Sequence, residues 1–124
     1  MFETTALTVL EMLDRGAPDA PALLAPGRGP MTFGALRDNV RRLAERLAVL
    51  GFGRNDRIAI VMENGPDLVL ALLAAASCGT AVPLNPKYRT DEFGFYFGDA
   101  NAKGLIVTPG AFPDALAAVT PGMT

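Results

Sequence analysis

"RIAIVMENGPDLVLALLAAASCGTAVPL", Arg57 to Leu84, is the stretch that decides the fold. Directly after Arg57 comes an unbroken run of β-branched and apolar side chains to Met62, the pattern of a strand covered on both faces in a parallel sheet. Gly65 breaks the run and Pro66 opens a helix, because proline is tolerated at a first helical position whose N–H would be unpaired anyway. From Pro66 to Cys78 the helix is apolar nearly all round, so it has to be buried on more than one side. Gly79 closes it and "AVPL" follows as a second short strand. Pro83 removes one ladder donor, which is costly in a central strand and cheap at an edge, so this strand is expected to be short or peripheral.

Outward from that core the pattern repeats. On the C-terminal side, Asn85 and Pro86 make a turn, and Thr90 is read as the cap of a helix whose first residues, Asp91 and Glu92, complement the positive end of the helix dipole. Phe93, Tyr96, Phe97 and Ala100 form its buried stripe. "GLIV", Gly104 to Val107, is a third sheet strand, followed by a last amphipathic helix marked by Phe112, Leu116 and Val119. On the N-terminal side, Leu36, Val40, Leu43, Leu47 and Leu50 recur at steps of four and three and line one face of a helix. Thr32 is its N-cap, Met31 and Leu36 form a hydrophobic staple, and Gly51 ends it. Before it, "PALLAPGRGPMT" gives two short extended pieces around Pro26, Gly27 and Gly29. Thr5 is read as the cap of a first short helix that ends at Gly16, with Val9, Leu10 and Leu13 on its inner side.

Residues 1–31 are therefore a helix and a hairpin, and 32–124 an α/β portion. Alternating strands and helices specify a partial doubly wound, Rossmann-like, mainly parallel sheet with right-handed crossovers. One core suffices for 124 residues, since a chain of this size buries roughly two thirds of its unfolded surface.

Composition excludes several classes of function. A net charge of −2 gives no nucleic-acid surface, and the arginines from Arg37 to Arg46 alternate with Asp38 and Glu45 as a solvated, self-paired face. The single cysteine, Cys78, forms no internal disulfide and suits a reducing cytoplasm. Glu3 and Glu11 interrupt the N-terminal stretch where a secretory signal needs other residues. The longest apolar run, Leu68 to Ala76, is far below the ~20 residues of a membrane span.

Catalytic chemistry is scarce. There is no histidine, which removes Ser-His and Cys-His pairs and, with one cysteine, the usual zinc sites. Cys78 ends an apolar helix and is expected to be buried and inert. Asp91 and Glu92 are neighbours on a helix and diverge, so they serve the helix end rather than acid–base work. A phosphate cradle needs consecutive N–H groups at a strand-to-helix turn. "GFGR" at Gly51 to Arg54 precedes a strand, "PGRG" is a hairpin tip, and "ENGPD" offers one glycine and a proline without a donor. Lys87, Tyr88 and Arg89 form a small basic and aromatic cluster, expected to face water, with ligand contact as the alternative. No catalytic, cofactor-binding or metal-binding residue is assigned.

Three stretches carry a resemblance: "APDAPALL", "MTFGALRDNVRRLAERLAVLGFGRNDRIAIVMENGPDLVLALLAAASCGTAVPLNPKYRTDEF" and "FYFGDANAKGLIV". Together they resemble the N-terminal segment of the AMP-forming acyl-adenylate enzymes, the acyl-CoA synthetases or ligases. In that family a strand pair leads to a "T-[FY]-x-E-L" helix, followed by "G-x-G-x-x-D-R-[IV]-A", "N-x-P-E" and "[AV]-x-[PV]-L-N-P-x-[YL]". The likeness runs from about Pro18 to Val107, with "DEFGFYFGDANAK" nearest the branch of oxalate-CoA and 4-coumarate-CoA-type ligases. Ala35 replaces the glutamate of the capping box, and Gly65 and Asp67 stand near the usual serine and glutamate. Pro109 to Val119 has no arginine or lysine, so no CoA contact is carried over to it.

The resemblance implies an enzyme that activates a carboxylic acid with ATP and Mg2+ as an acyl-adenylate, then passes the acyl group to CoA after a lid rotation. It also implies that the phosphate loop, the ribose-binding aspartate and the lid lysine lie beyond this stretch. The chain is expected to be an inactive supporting piece of that enzyme's large N-terminal domain, partnered by the remainder of the enzyme, and binding no cofactor alone. Self-association is expected through Leu68, Leu70, Leu72, Phe95 and Phe97 where half covered. The alternative is a free-standing α/β interaction or regulatory module descended from such an enzyme.

Overall fold

A computed structural model describes residues 8–124. The first helix, α1, is Val9–Leu13 and takes Thr8 as its cap, whose hydroxyl accepts from Glu11 N at 3.1 Å; Thr5 lies outside the described residues. Leu10 and Leu13 face the core. β1 (Pro21–Leu23) and β2 (Met31–Thr32) pair antiparallel. Between them, Pro26 and Gly27 turn the chain, with Gly27 at φ +74° and Arg28 N donating to Ala25 O at 3.2 Å.

α2, Phe33–Val49, starts where its capping signal lies: the Thr32 hydroxyl accepts from Ala35 N at 3.1 Å. It ends in a Schellman motif, in which Gly51 at φ +101° donates to Ala48 O and Phe52 to Leu47 O. Leu36, Val40 and Leu47 are buried, but Leu50 stands 59% exposed. The helix stops one residue short of it, so the expected stripe loses its last member. Arg37 pairs with Asp38 at 3.6 Å, as the self-paired face requires, and also reaches off the helix to Asp14 at 3.2 Å.

β3 (Arg57–Val61), α3 (Pro66–Cys78), β4 (Thr80–Pro83), α4 (Thr90–Asp99) and β5 (Ala102–Val107) build the parallel sheet, with order β4-β3-β5. Ile58 to Val61 of the central strand are fully buried, as a strand sandwiched between helices requires. Ile58 and Ile60 meet Leu36, Val40, Leu47 and the alanines of α3 on one face. Ala59 and Val61 meet Phe93, Phe97 and Ala115 on the other. The sheet is thus doubly wound, with β3 flanked by the strands that follow it in sequence.

β4 is an edge strand. Thr80 N donates to Asp56 O and Leu84 N to Ile60 O, so alternate N–H groups of β4 face β3 and the missing one at Pro83 falls on the open side. Gly79 allows the chain to turn into this strand: a Cβ there would stand 2.6 Å from Asp56 O and 2.9 Å from Gly53 O.

Two helix readings are corrected. α4 has Arg89, not Thr90, at its cap position: Glu92 Oε1 accepts the Arg89 N–H at 3.1 Å, which fixes the start one residue earlier. Thr90 instead donates its hydroxyl to Asp114 Oδ1 at 3.1 Å. The last helix, α5, is only Pro113–Ala117, and its buried residue is Ala115, while Leu116 and Val119 lie largely exposed. The helix docks through Ala115, with Phe112 before it and Ala118 after it packed against the same cluster, so of the expected stripe only Phe112 faces the core.

Candidate functional site

In a doubly wound sheet, ligands bind where the strand order reverses, at the carboxyl ends of the strands. Here that point is the crevice between the ends of β3 and β5, rimmed by Met62 to Gly65 and by Thr108 to Gly110. Glu63, Asn64, Thr108, Pro109 and Gly110 are all exposed. The helix opening there, α3, has Pro66 at its first position, with no N–H to offer and no side-chain cap. Glu63 lies three positions before Pro66, and the turn presents one backbone donor fewer than a helix start without proline. Among the described residues, no group of three or more His, Cys, Asp or Glu could hold a metal ion.

The charged cluster with the clearest electrostatics lies at the opposite end of the sheet. Asp56 Oδ2 accepts from Gly53 N at 2.7 Å and from Lys103 Nζ at 3.1 Å, and Lys103 also donates to Gly51 O at 2.8 Å. The Gly53 N–H, then the Lys103 ammonium, hold the Asp56 carboxyl below its ordinary value. Lys103 lies over the Phe52 ring, 5.7 Å from its centroid. This group clasps the turn before β3 to the start of β5. Reading along the chain singled out "GFGR" only as a turn and left Lys103 unassigned; the two are brought together across 47 positions, a separation that leaves no local periodicity.

The other residues considered fall in scattered places. Cys78 is half-buried rather than buried, at an open cleft with Leu10, Arg54 and Ser77, and its thiol donates to Phe52 O at 3.4 Å. Burial, and secondarily the Asp56 carboxylate, push that thiol up. Lys87 and Arg89 are exposed, but Tyr88 between them turns inward, stacking on Tyr96 at 5.0 Å and edge-on to Phe93 at 5.7 Å. A hydrogen bond with Tyr96, then burial, raises the Tyr88 phenol. Asp91 and Glu92 occupy the first turn of α4. Arg89 and Glu92 thus meet beside Tyr88 at the start of α4, while Cys78 sits next to the turn that holds Asp56.

A profile of the AMP-binding enzyme family matches residues 10–122. The chain belongs to that family. It is 31% identical over 118 residues to "Probable CoA ligase CCL9" of Humulus lupulus, a match covering 92% of this chain and 22% of that protein. To the oxalate–CoA ligase of Arabidopsis thaliana it is 33% identical over 110 residues, covering 87% of this chain and 21% of the other. A solved fatty acyl CoA synthetase of Mycobacterium tuberculosis superposes with a TM-score of 0.80 at 27% identity, over 89% of this chain and 23% of that one. This AMP-binding family chain therefore spans about a fifth of the length of the curated relatives it matches, and its doubly wound sheet is a partial subdomain of the fold they share.

Proposed function

We propose that the chain is supporting framework of an ATP-dependent acid–thiol ligase that activates a carboxylic acid as its acyl-adenylate and transfers the acyl group to CoA. The observation that carries this reading is the family match along residues 10–122, shared with relatives described as CoA ligases. ATP, Mg2+ and CoA are assigned to the rest of such an enzyme: Pro66 at the opening of α3 has no N–H for a phosphate, and among the described residues no group of three or more His, Cys, Asp or Glu could hold a metal ion. No residue of this chain is given a catalytic role. Its own contribution is mechanical: Phe93 and Phe97 on one face and Leu36, Val40 and Leu47 on the other hold the sheet between two helical layers. The lone thiol and the absence of an apolar helix long enough to cross a membrane among the described residues fit work in the cytoplasm. On its own the chain is expected to self-associate through its exposed apolar side chains.

Carboxylate-dependent exchange of pyrophosphate into ATP tests the reading. The 124-residue chain alone is expected to give none, whereas a chimera joining it to the remaining part of the oxalate–CoA ligase is expected to exchange. Acyl-adenylate formation by the isolated chain would refute the framework role.

A further inference from the structure

Two exposed helix faces, one in each helical layer, carry opposite charge. On α2 an open cleft of about 540 Å³ is lined by Arg42, Glu45, Arg46, Val49 and Leu50. Val49 and Leu50 give it an exposed apolar part, and two arginines against one glutamate leave its rim positive. Arg42 donates to the Asp38 carbonyl at 3.5 Å. Among the described residues neither Arg42 nor Arg46 meets a carboxylate.

On α4, Asp91, Phe95 and Asp99 recur every four residues and so share one stripe of the helix. All three are exposed, and among the described residues neither aspartate has an ion-pair partner. The Phe95 ring is held edge-on to Tyr96 at 5.2 Å. A Cβ at Gly94 or Gly98 would meet nothing within 4 Å, so the backbone beside the ring is open to a neighbour. Asp91 complements the positive end of α4, but Asp99 stands at the negative end, where no basic residue of the last turn answers it. A helix-end rule broken at an exposed position points to a cation supplied from outside.

We propose that the α4 face of one copy docks on the α2 face of the next, with Phe95 seated in the cleft against Val49 and Leu50 and a carboxylate beside it paired with Arg46. Leu50 and Arg46 are one turn apart, as Phe95 is from both Asp91 and Asp99, so either direction of docking brings one carboxylate to Arg46. A two-fold contact is disfavoured, because α2 against α2 opposes arginines and α4 against α4 opposes aspartates. Each copy offers one face of each kind, and a contact between unlike faces extends into a chain of copies rather than closing as a pair. The proposal rests on the self-association expected of the chain on its own and names the surfaces that meet.

Sedimentation velocity at micromolar concentration tests it with two variants. Arg42→Glu with Arg46→Glu reverses the charge of the cleft and leaves α4 intact, whereas Phe95→Glu removes the ring and leaves α2 intact. The wild type is expected to form a ladder of species that lengthens with concentration and shortens at high salt. Each variant alone is expected to be monomeric. Mixed in equal amounts they are expected to stop at twice the 13.0 kDa monomer, because each keeps the face that the other has lost and the two altered faces repel. Unfolding midpoints near that of the wild type establish that the variants fold; where one does not, Arg46→Gln or Phe95→Ser replaces it under the same criteria. A wild type that is monomeric or stops at a dimer, a variant that still associates alone, or a mixture that stays monomeric or grows beyond the pair overturns the proposal. No ATP or acid is present, so these outcomes are independent of pyrophosphate exchange.

Discussion

Asp56 and Gly79 meet at the turn where β3 and β4 begin, and each has a measurable signature. The Asp56 carboxyl is held low by the Gly53 N–H and by Lys103. A carboxylate whose pKa is depressed on folding adds stability above its unfolded value, and that contribution is lost as the pH falls through the lower folded value. Thermal unfolding followed from pH 7 downward is therefore expected to show a loss of stability below about pH 4 that Asp56→Asn lacks; parallel curves for the two proteins would exclude it. Gly79→Ala brings a Cβ against Asp56 O and Gly53 O. Since both are backbone atoms pinned by the turn, the expected cost is about 1–3 kcal/mol, checked by urea unfolding, and a change near zero would show that the turn can shift. Cys78, whose thiol is pushed up mainly by burial, is expected to react with iodoacetamide at pH 7 more slowly than a cysteine in an unstructured peptide. Equal or faster alkylation would show a thiolate that the structure does not favour.

Elements with local signals were legible in the sequence. α2 was readable because Thr32, Gly51 and the Leu36–Leu47 periodicity lie within its own length, and Thr32→Ala is expected to cost about 1 kcal/mol by chemical denaturation, with no loss if another group caps the helix. β3 and α3 were readable because a doubly covered strand and an all-round apolar helix allow few placements. What failed did so through partners distant in sequence or through ends set by a single hydrogen bond. Glu92 moves the cap of α4 to Arg89, Leu50 falls just past the end of α2, and α5 rests on Ala115. Of the candidate site, the proline-led opening of α3 was visible in "ENGPD", whereas the Asp56–Lys103 clasp was not, because nothing local couples those positions. Pro83 shows the legible and illegible together: its place at an edge followed from its missing N–H, but which side that gap faces depended on the register with Ile60. Pro83→Val restores an outward donor on an exposed edge, so it is expected to leave unfolding stability nearly unchanged and to increase aggregation in light scattering. A drop in stability would mean that the ring itself packs.

On the scale of the whole molecule, the sheet is covered on both faces, yet the cover is incomplete on the outside. Val49 is 87% exposed at the end of α2 and Phe95 63% exposed on α4. Leu68, Leu70 and Leu72 of α3 are half-buried as expected from the sequence, whereas Phe97 is buried outright against Phe93. Val49 belongs to the helical layer over Ile58 and Ile60, and Phe95 to the layer over Ala59 and Val61, so the two exposed positions lie on different sides of the sheet. A larger ligase could cover both, but an isolated chain can do so only by meeting another copy. Fully burying one such side chain is worth about 1.5–3 kcal/mol, and a head-to-tail contact buries one such patch on each partner. Sedimentation of the chain at micromolar concentration is therefore expected to show species heavier than its 13.0 kDa monomer, together with ANS fluorescence. The double variant Val49→Glu, Phe95→Glu changes two positions that support no core contact and is expected to return the chain to a monomer with its unfolding midpoint nearly intact. A monomeric wild type that binds no ANS would show that these faces are tolerated in water, and a variant that stays associated would place the contact elsewhere.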